Sequence, residues 1–201
     1  MSTTIVLVTV TIAASLLAWN NQDITRKWIF NPYSIHKYNQ YFRFITSGFI
    51  HANWVHLLFN VFMLYMFGEI VERYFKFLLA EAASIVFVIF YLSAIVISSL
   101  STYLKHRHNP GYNSLGASGG VSAVLFSFIV FAPMQDLCLY GLLCLPGIFW
   151  GAAYLVYSYY MAKRSGDNIN HDAHFFGALY GIIFTIIIYP SAISNFINSL
   201  Y

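Results

Sequence analysis

Four side chains in this sequence could together perform acyl transfer: Ser118, His174, His56 and Asn60. Ser118 lies in Gly116-Ala117-Ser118-Gly119-Gly120, where the polar stretch 105–113 gives way to the apolar run 121–132. The serine therefore stands at the N-terminal end of a predicted helix, whose unpaired N–H groups and positive dipole end stabilise negative charge developing beside it. Gly116 and Gly119 leave room for another backbone or a substrate to come close. A serine hydroxyl is a poor nucleophile until a base takes its proton, and a neutral imidazole is the usual base. His174 is the favoured base. Gly177 and Gly181 follow it as a GxxxG pair, which lets its helix pack against small residues such as those around Ser118. His56 and Asn60 are four residues apart and share one face of a predicted helix. With the Ser118 backbone N–H they offer donors to a tetrahedral oxyanion.

A structural reading stands beside each of these. Taken alone, the Gly-Ala-Ser-Gly-Gly run is also a common helix-packing surface in membrane bundles. The structural alternative for each intrahelical histidine is an interhelical hydrogen bond, worth about 0.6 kcal/mol on average in a membrane protein. For His51, which precedes His56 toward the start of the same predicted helix, the structural reading is preferred.

The elements that must position these residues are membrane spans. The 201 residues are 59% hydrophobic and only 8% charged, against about 25% charged in soluble domains. The chain reads as an integral, multi-pass membrane protein forming a single domain, 1–201, with no separate soluble domain. A net charge of +3 is too small and dispersed for a nucleic-acid surface. Cys138 and Cys144 lack CxxC or metal spacing and read as small hydrophobes. No HExxH is present, so neither metal nor cofactor is expected.

Six apolar stretches follow in order: 3–19, 51–67, 77–101, 118–133, 139–161 (interrupted by Pro146-Gly147) and 174–189. The segment 20–46, rich in aromatics and Lys/Arg, suits the membrane interface. Runs this long and uniformly apolar specify an all-α bundle rather than a barrel. Ser118, His56 and His174 all fall near the N-terminal ends of even-numbered spans. Successive spans alternate direction, so those three ends share one face of the membrane.

These residues resemble the motifs of rhomboid intramembrane serine proteases. Gly116-Ala117-Ser118-Gly119 matches the family's GxSG, and the stretch from Ala173 through His174 to Gly177 and Gly181 matches AHxxGxxxG. His51 through His56 to Asn60 resembles the second-helix pattern. The resemblance covers nearly the whole chain in the minimal six-helix form. It implies a Ser118–His174 dyad, an oxyanion hole from His56, Asn60 and the Ser118 N–H, and a structural role for Glu72 at the charged end of the second helix. It also implies supporting roles for Gly116, Gly119, Gly177, Gly181, His51 and Arg43, and gate-lining roles for Phe149 and Trp150. The partners implied are transmembrane protein substrates within a lipid bilayer. Two positions depart from the pattern. Where many members carry Trp-Arg in the first loop, this chain has Phe42-Arg43. Where many bacterial members carry an aromatic against the catalytic imidazole, four residues after the nucleophile, it has Ser122.

Orientation is pulled two ways. Eight of the ten Lys/Arg fall on the Ser118 face, only Arg73 and Lys76 opposite, which by the positive-inside rule turns the Ser118 face toward the cytoplasm. The resemblance implies a cell (inner) membrane with the active face outward. Two rival functions remain: a non-catalytic relative that binds transmembrane helices, and a transporter using His51, His56, His171 and His174 as a relay. Retention of both Ser118 and His174 argues against the first, and the lack of an internal repeat against the second.

Overall fold

A computed structural model describes residues 1–139, 142–164 and 169–198. Helix α1 (Thr3–Asn20) is followed by three short helices, α2 (Gln22–Trp28), α3 (Pro32–Tyr38) and α4 (Arg43–Thr46). Then come α5 (Trp54–Leu79), α6 (Ala83–His106), α7 (Ser118–Phe131), strands β1 (Asp136–Leu139) and β2 (Leu143–Pro146), and α8 (Gly147–Met161), α9 (His171–Ile188) and α10 (Ala192–Asn198). Among the described residues, six apolar helices (α1 and α5 to α9) form the bundle. Large apolar side chains such as Val55, Phe59, Phe62, Ile85 and Val156 are exposed on its outside. That surface suits lipid, where only helices or closed barrels satisfy the backbone.

Helix α7 is the axis of the bundle, with α5, α6 and α9 packed around it. Eleven of its fourteen residues are buried. Its small residues let the neighbours close in. Gly120 meets Tyr91 and Ile95 of α6, and a Cβ added at Gly119 would collide with Ser98. The core below is aromatic: Phe75, Phe87, Phe90 and Tyr91 are fully buried, with Phe90 and Phe184 rings 4.8 Å apart. At 1.5 Å per residue α7 is about 21 Å long, short of the roughly 30 Å hydrocarbon core. Gly119 lies level with Ser98, eight residues before α6 ends at His106. The start of α7 is therefore recessed about 12 Å below that end.

Several boundaries differ from those read in sequence. The second span begins at Trp54, because the Asn53 side chain caps it by accepting the His56 N–H, so His51 precedes the helix. It runs past Phe67 to Leu79, carrying its charges within the helix. Ala80, at φ 46°, breaks it from α6, a conformation that costs any residue with a Cβ. The fifth span loses its first turns. Residues 136–139 and 143–146 form an antiparallel hairpin, and α8 begins only after Pro146, which has no N–H to give and is preorganised for a helix start. The cysteines are not lone small hydrophobes. Cys138 and Cys144 pair across the hairpin with Cα atoms 4.0 Å apart and form a disulfide, exposed at the end of α7 opposite Ser118.

Glu72 ties the first span to the second. Its carboxylate, 2% exposed, accepts from the Thr3 N–H (3.0 Å), the Thr4 N–H (2.9 Å) and the Thr4 hydroxyl (2.9 Å), and pairs with Lys76 at 3.0 Å. It thus places negative charge on the N-terminal dipole end of α1. Glu72→Ala is expected to cost about 3 kcal/mol, the scale of lost charge-assisted hydrogen bonds. Denaturation in detergent micelles would read this out, and an unchanged midpoint would remove Glu72 from the fold's ties.

Candidate active site

The site is built where the first turns of α7 and α9 meet. A Cβ at Gly177 would lie 2.2 Å from the Gly119 carbonyl oxygen, and one at Gly181 2.1 Å from that of Ala123. The two backbones touch along a stripe that only glycines on α9 permit. Ser118 immediately precedes Gly119, and His174 lies one turn before Gly177. Each is half-buried at the same end of the bundle. The start of α9 is fixed by Asn170, whose Oδ1 accepts from the Ala173 N–H (3.1 Å) and from the Thr102 hydroxyl of α6 (2.9 Å). Lys105 and Asp172 form an ion pair at 2.7 Å beside it. The His174 ring stacks on Tyr154 of α8, centroids 6.3 Å apart and planes at 25°, and meets His171 edge-on at 5.8 Å.

On the other side of Ser118, the loop before α7 is held by Ser47, His51 and His56. Gly116 has φ +120°, a conformation reserved for glycine, and a Cβ there would sit 2.5 Å from the His56 ring. The Gly116 N–H donates to the Ser47 carbonyl at 2.9 Å. His56 thus covers the loop before Ser118, with His51 edge-on to it at 4.9 Å. Asn60 is buried one turn below and donates to the His56 carbonyl at 2.8 Å, leaving its second amide hydrogen for another acceptor.

His51 is hydrogen-bonded on both ring nitrogens. Its Nε2 accepts the Ala117 N–H at 3.2 Å, so Nδ1 carries the proton and donates to Ser15 Oγ at 3.0 Å. Ser15 donates in turn to the Phe49 carbonyl, and the Trp19 indole donates to the His51 carbonyl at 2.6 Å. Burial drives the imidazole pKa down to about 3, keeping it neutral. Arg43 staples the first loop, donating to Gln40 Oε1 and to the carbonyls of Arg26 and Ile29 at 2.7–2.8 Å. The hydrogen bonds and ion pair of Arg43 and Glu72 join other parts of the fold and do not involve Ser118. Phe149 points outward from α8, while the Trp150 indole donates to the Leu137 carbonyl at 2.9 Å and ties α8 to the hairpin.

Sequence reasoning missed three parts of this site. Ser15 and Trp19 reach it from the first span, and Tyr154 reaches it from the fifth; no spacing within one helix could have named them. The third part is a small polar cavity beside Ser118, lined by the serines 47, 98, 99 and 114 and by Asn170.

The Rhomboid domain profile matches residues 38–191, which contain every one of these side chains except those of α1. The chain belongs to the rhomboid family. It is also similar to the Arabidopsis thaliana protein "Rhomboid-like protein 11, chloroplastic", 30% identical over 175 aligned residues that take in 80% of this chain and 58% of the relative. The chain spans little more than half the length of that curated relative. As a member of the family, it is a polytopic helical membrane protein.

Proposed function

We propose that this rhomboid is an intramembrane serine endopeptidase that cleaves transmembrane or juxtamembrane segments of other membrane proteins. The observation that supports this most is the backbone contact of Gly119 with Gly177, which sets the turns carrying Ser118 and His174 side by side. In the proposed reaction Ser118 Oγ attacks the scissile carbonyl while His174 takes its proton. The resulting oxyanion is met by the Ser118 N–H at the helix start, by His56 and by the free Asn60 hydrogen. The amine leaves with the proton from His174, and the acyl-enzyme is hydrolysed by water. The hydroxyl-lined cavity beside Ser118 is the source of that water, because several polar partners can hold it there. The recess of Ser118 suits a bond that starts below the membrane surface. A helical substrate must unwind first, because its peptide bonds are hydrogen-bonded and covered.

A fluorophosphonate probe on detergent-solubilised protein tests this reading. Labelling that disappears in Ser118→Ala and His174→Ala is the expected result. A folded wild-type protein that takes no label would leave the helix-binding relative as the better reading.

The orientation we propose is the opposite of the one the resemblance implies. The Lys/Arg-rich Ser118 face belongs on the cytoplasmic side, and the disulfide-bonded hairpin on the other face suits an oxidising compartment. Charge and cysteine chemistry are independent and agree. A topology reporter fused beyond α10, which packs at the hairpin end of α7, is expected to score non-cytoplasmic. A cytoplasmic score would restore the outward active face.

A further inference from the structure

We propose that Tyr154 of α8 is the positioning residue for the His174 imidazole, and that Ser122 holds it there; this rests on reading Ser118 and His174 as a dyad. Ser118, Ser122 and Phe126 are spaced four apart on α7 and so share one face of that helix. The Ser122 hydroxyl, buried, meets the Tyr154 hydroxyl at 2.5 Å. The Phe126 ring lies 5.5 Å from the Tyr154 ring. Gly151, one turn before Tyr154, lets α8 descend onto Phe126 and Ile129. From this seat the Tyr154 ring lies nearly parallel to the His174 ring, planes 25° apart at 6.3 Å, within the range of offset aromatic stacking. The face of α7 that presents the nucleophile therefore also fixes, through a neighbouring helix, the ring against its base. An imidazole that must take a proton from one atom gains rate from being held in one rotamer. Ser122 is too short to touch the imidazole as an aromatic would, and its hydroxyl serves the tyrosine instead. Helix α8 is otherwise lightly seated, burying Gly147, Gly151 and Ser158, and the Ser122–Tyr154 bond ties it to α7 beside Ser118.

The test compares Tyr154→Leu, Tyr154→Phe, Ser122→Ala and Tyr154→Phe/Ser122→Ala with wild type. It reads cleavage kinetics on a reconstituted transmembrane substrate, the rate of fluorophosphonate labelling, and thermal stability. Tyr154→Leu is expected to lower kcat by about 10- to 100-fold, the cost of a misplaced catalytic group. KM is expected to hold within about twofold, since no substrate contact is removed. Labelling should slow in step with kcat, because the probe needs only the activated serine. Tyr154→Phe keeps the ring but loses its bond to Ser122, and is expected to lower kcat by about 3- to 10-fold, less than Tyr154→Leu. Tyr154→Phe and Ser122→Ala each remove the same bond, so the double variant should be no slower than either single one. A stable Tyr154→Leu with wild-type kcat and labelling would overturn the proposal while leaving a labelled Ser118 and the dyad intact. Should Tyr154→Leu fail to fold, additive effects of Tyr154→Phe and Ser122→Ala would overturn it equally. Absence of label from wild type would instead sink the dyad, and the positioning role with it.

Discussion

Ser118→Ala and His174→Ala are each expected to lower cleavage of a reconstituted transmembrane substrate by about 10⁴-fold or more, the scale seen when one member of a serine nucleophile–base unit is removed. The double variant is expected to be no worse than either single one, because in the proposed reaction the two side chains act in one proton transfer and neither is useful without the other. The folded state should survive the serine change. Helix α7 starts with Ala117 at its cap and no side-chain capping bond, so deleting the Ser118 hydroxyl removes no helix stabilisation. His174 lies half-buried among Tyr154 and His171, and its loss should leave the glycine stripe on α9 untouched. Thermal midpoints close to wild type, together with abolished cleavage and labelling, are the expected pattern. Retained turnover in Ser118→Ala would move the nucleophile elsewhere. Retained turnover in His174→Ala alone would leave Ser118 in place and require another base.

How much of this was legible in sequence depends on the range over which each signal acts. The six apolar stretches were readable because lipid imposes length and apolarity on every span locally. The start of α7 at Ser118 was readable because polar loop and apolar run meet there. The fifth span misled because the apolar run from Leu137 to Leu145 carries no mark distinguishing helix from hairpin; Pro146-Gly147 was the clue, and it marks the true start of α8 rather than a kink. Cys138 and Cys144 looked like filler in an apolar setting. Only the strand pairing, which sets them directly opposite each other, makes them a disulfide. His51 could be read as structural, but its work on the Ala117 N–H depends on a loop sixty-six residues away. Tyr154 lay beyond reach for the same reason. Ser122 marks a missing aromatic, and nothing in the chain says which helix supplies the replacement.

Gly177→Ala is expected to do the most damage for the fewest atoms. The added methyl carbon would lie 2.2 Å from the Gly119 oxygen, 2.9 Å from its carbonyl carbon and 3.1 Å from its Cα, where carbon contacts prefer about 3.5–4.0 Å. The obstacle is backbone within a buried helix, so no rotamer change can relieve it, and α9 must move from α7 by about 1 Å or more. Overpacking of this kind costs about 1–3 kcal/mol. The displacement falls one turn from His174, and a 1 Å misplacement of catalytic groups costs about 100-fold in rate. Gly181→Ala presses equally hard, 2.1 Å from the Ala123 oxygen, but one turn further from the chemistry. It should destabilise as much while slowing labelling less. Gly111→Ala is the control: the nearest atom, Asn109 Oδ1, is 3.5 Å away in an exposed loop, and neither stability nor rate should change. Thermal midpoints and labelling rates of the three variants separate packing from chemistry. If Gly177→Ala kept both, the close approach of α7 and α9 would not be what sets His174 beside Ser118, and the dyad would lose its main support.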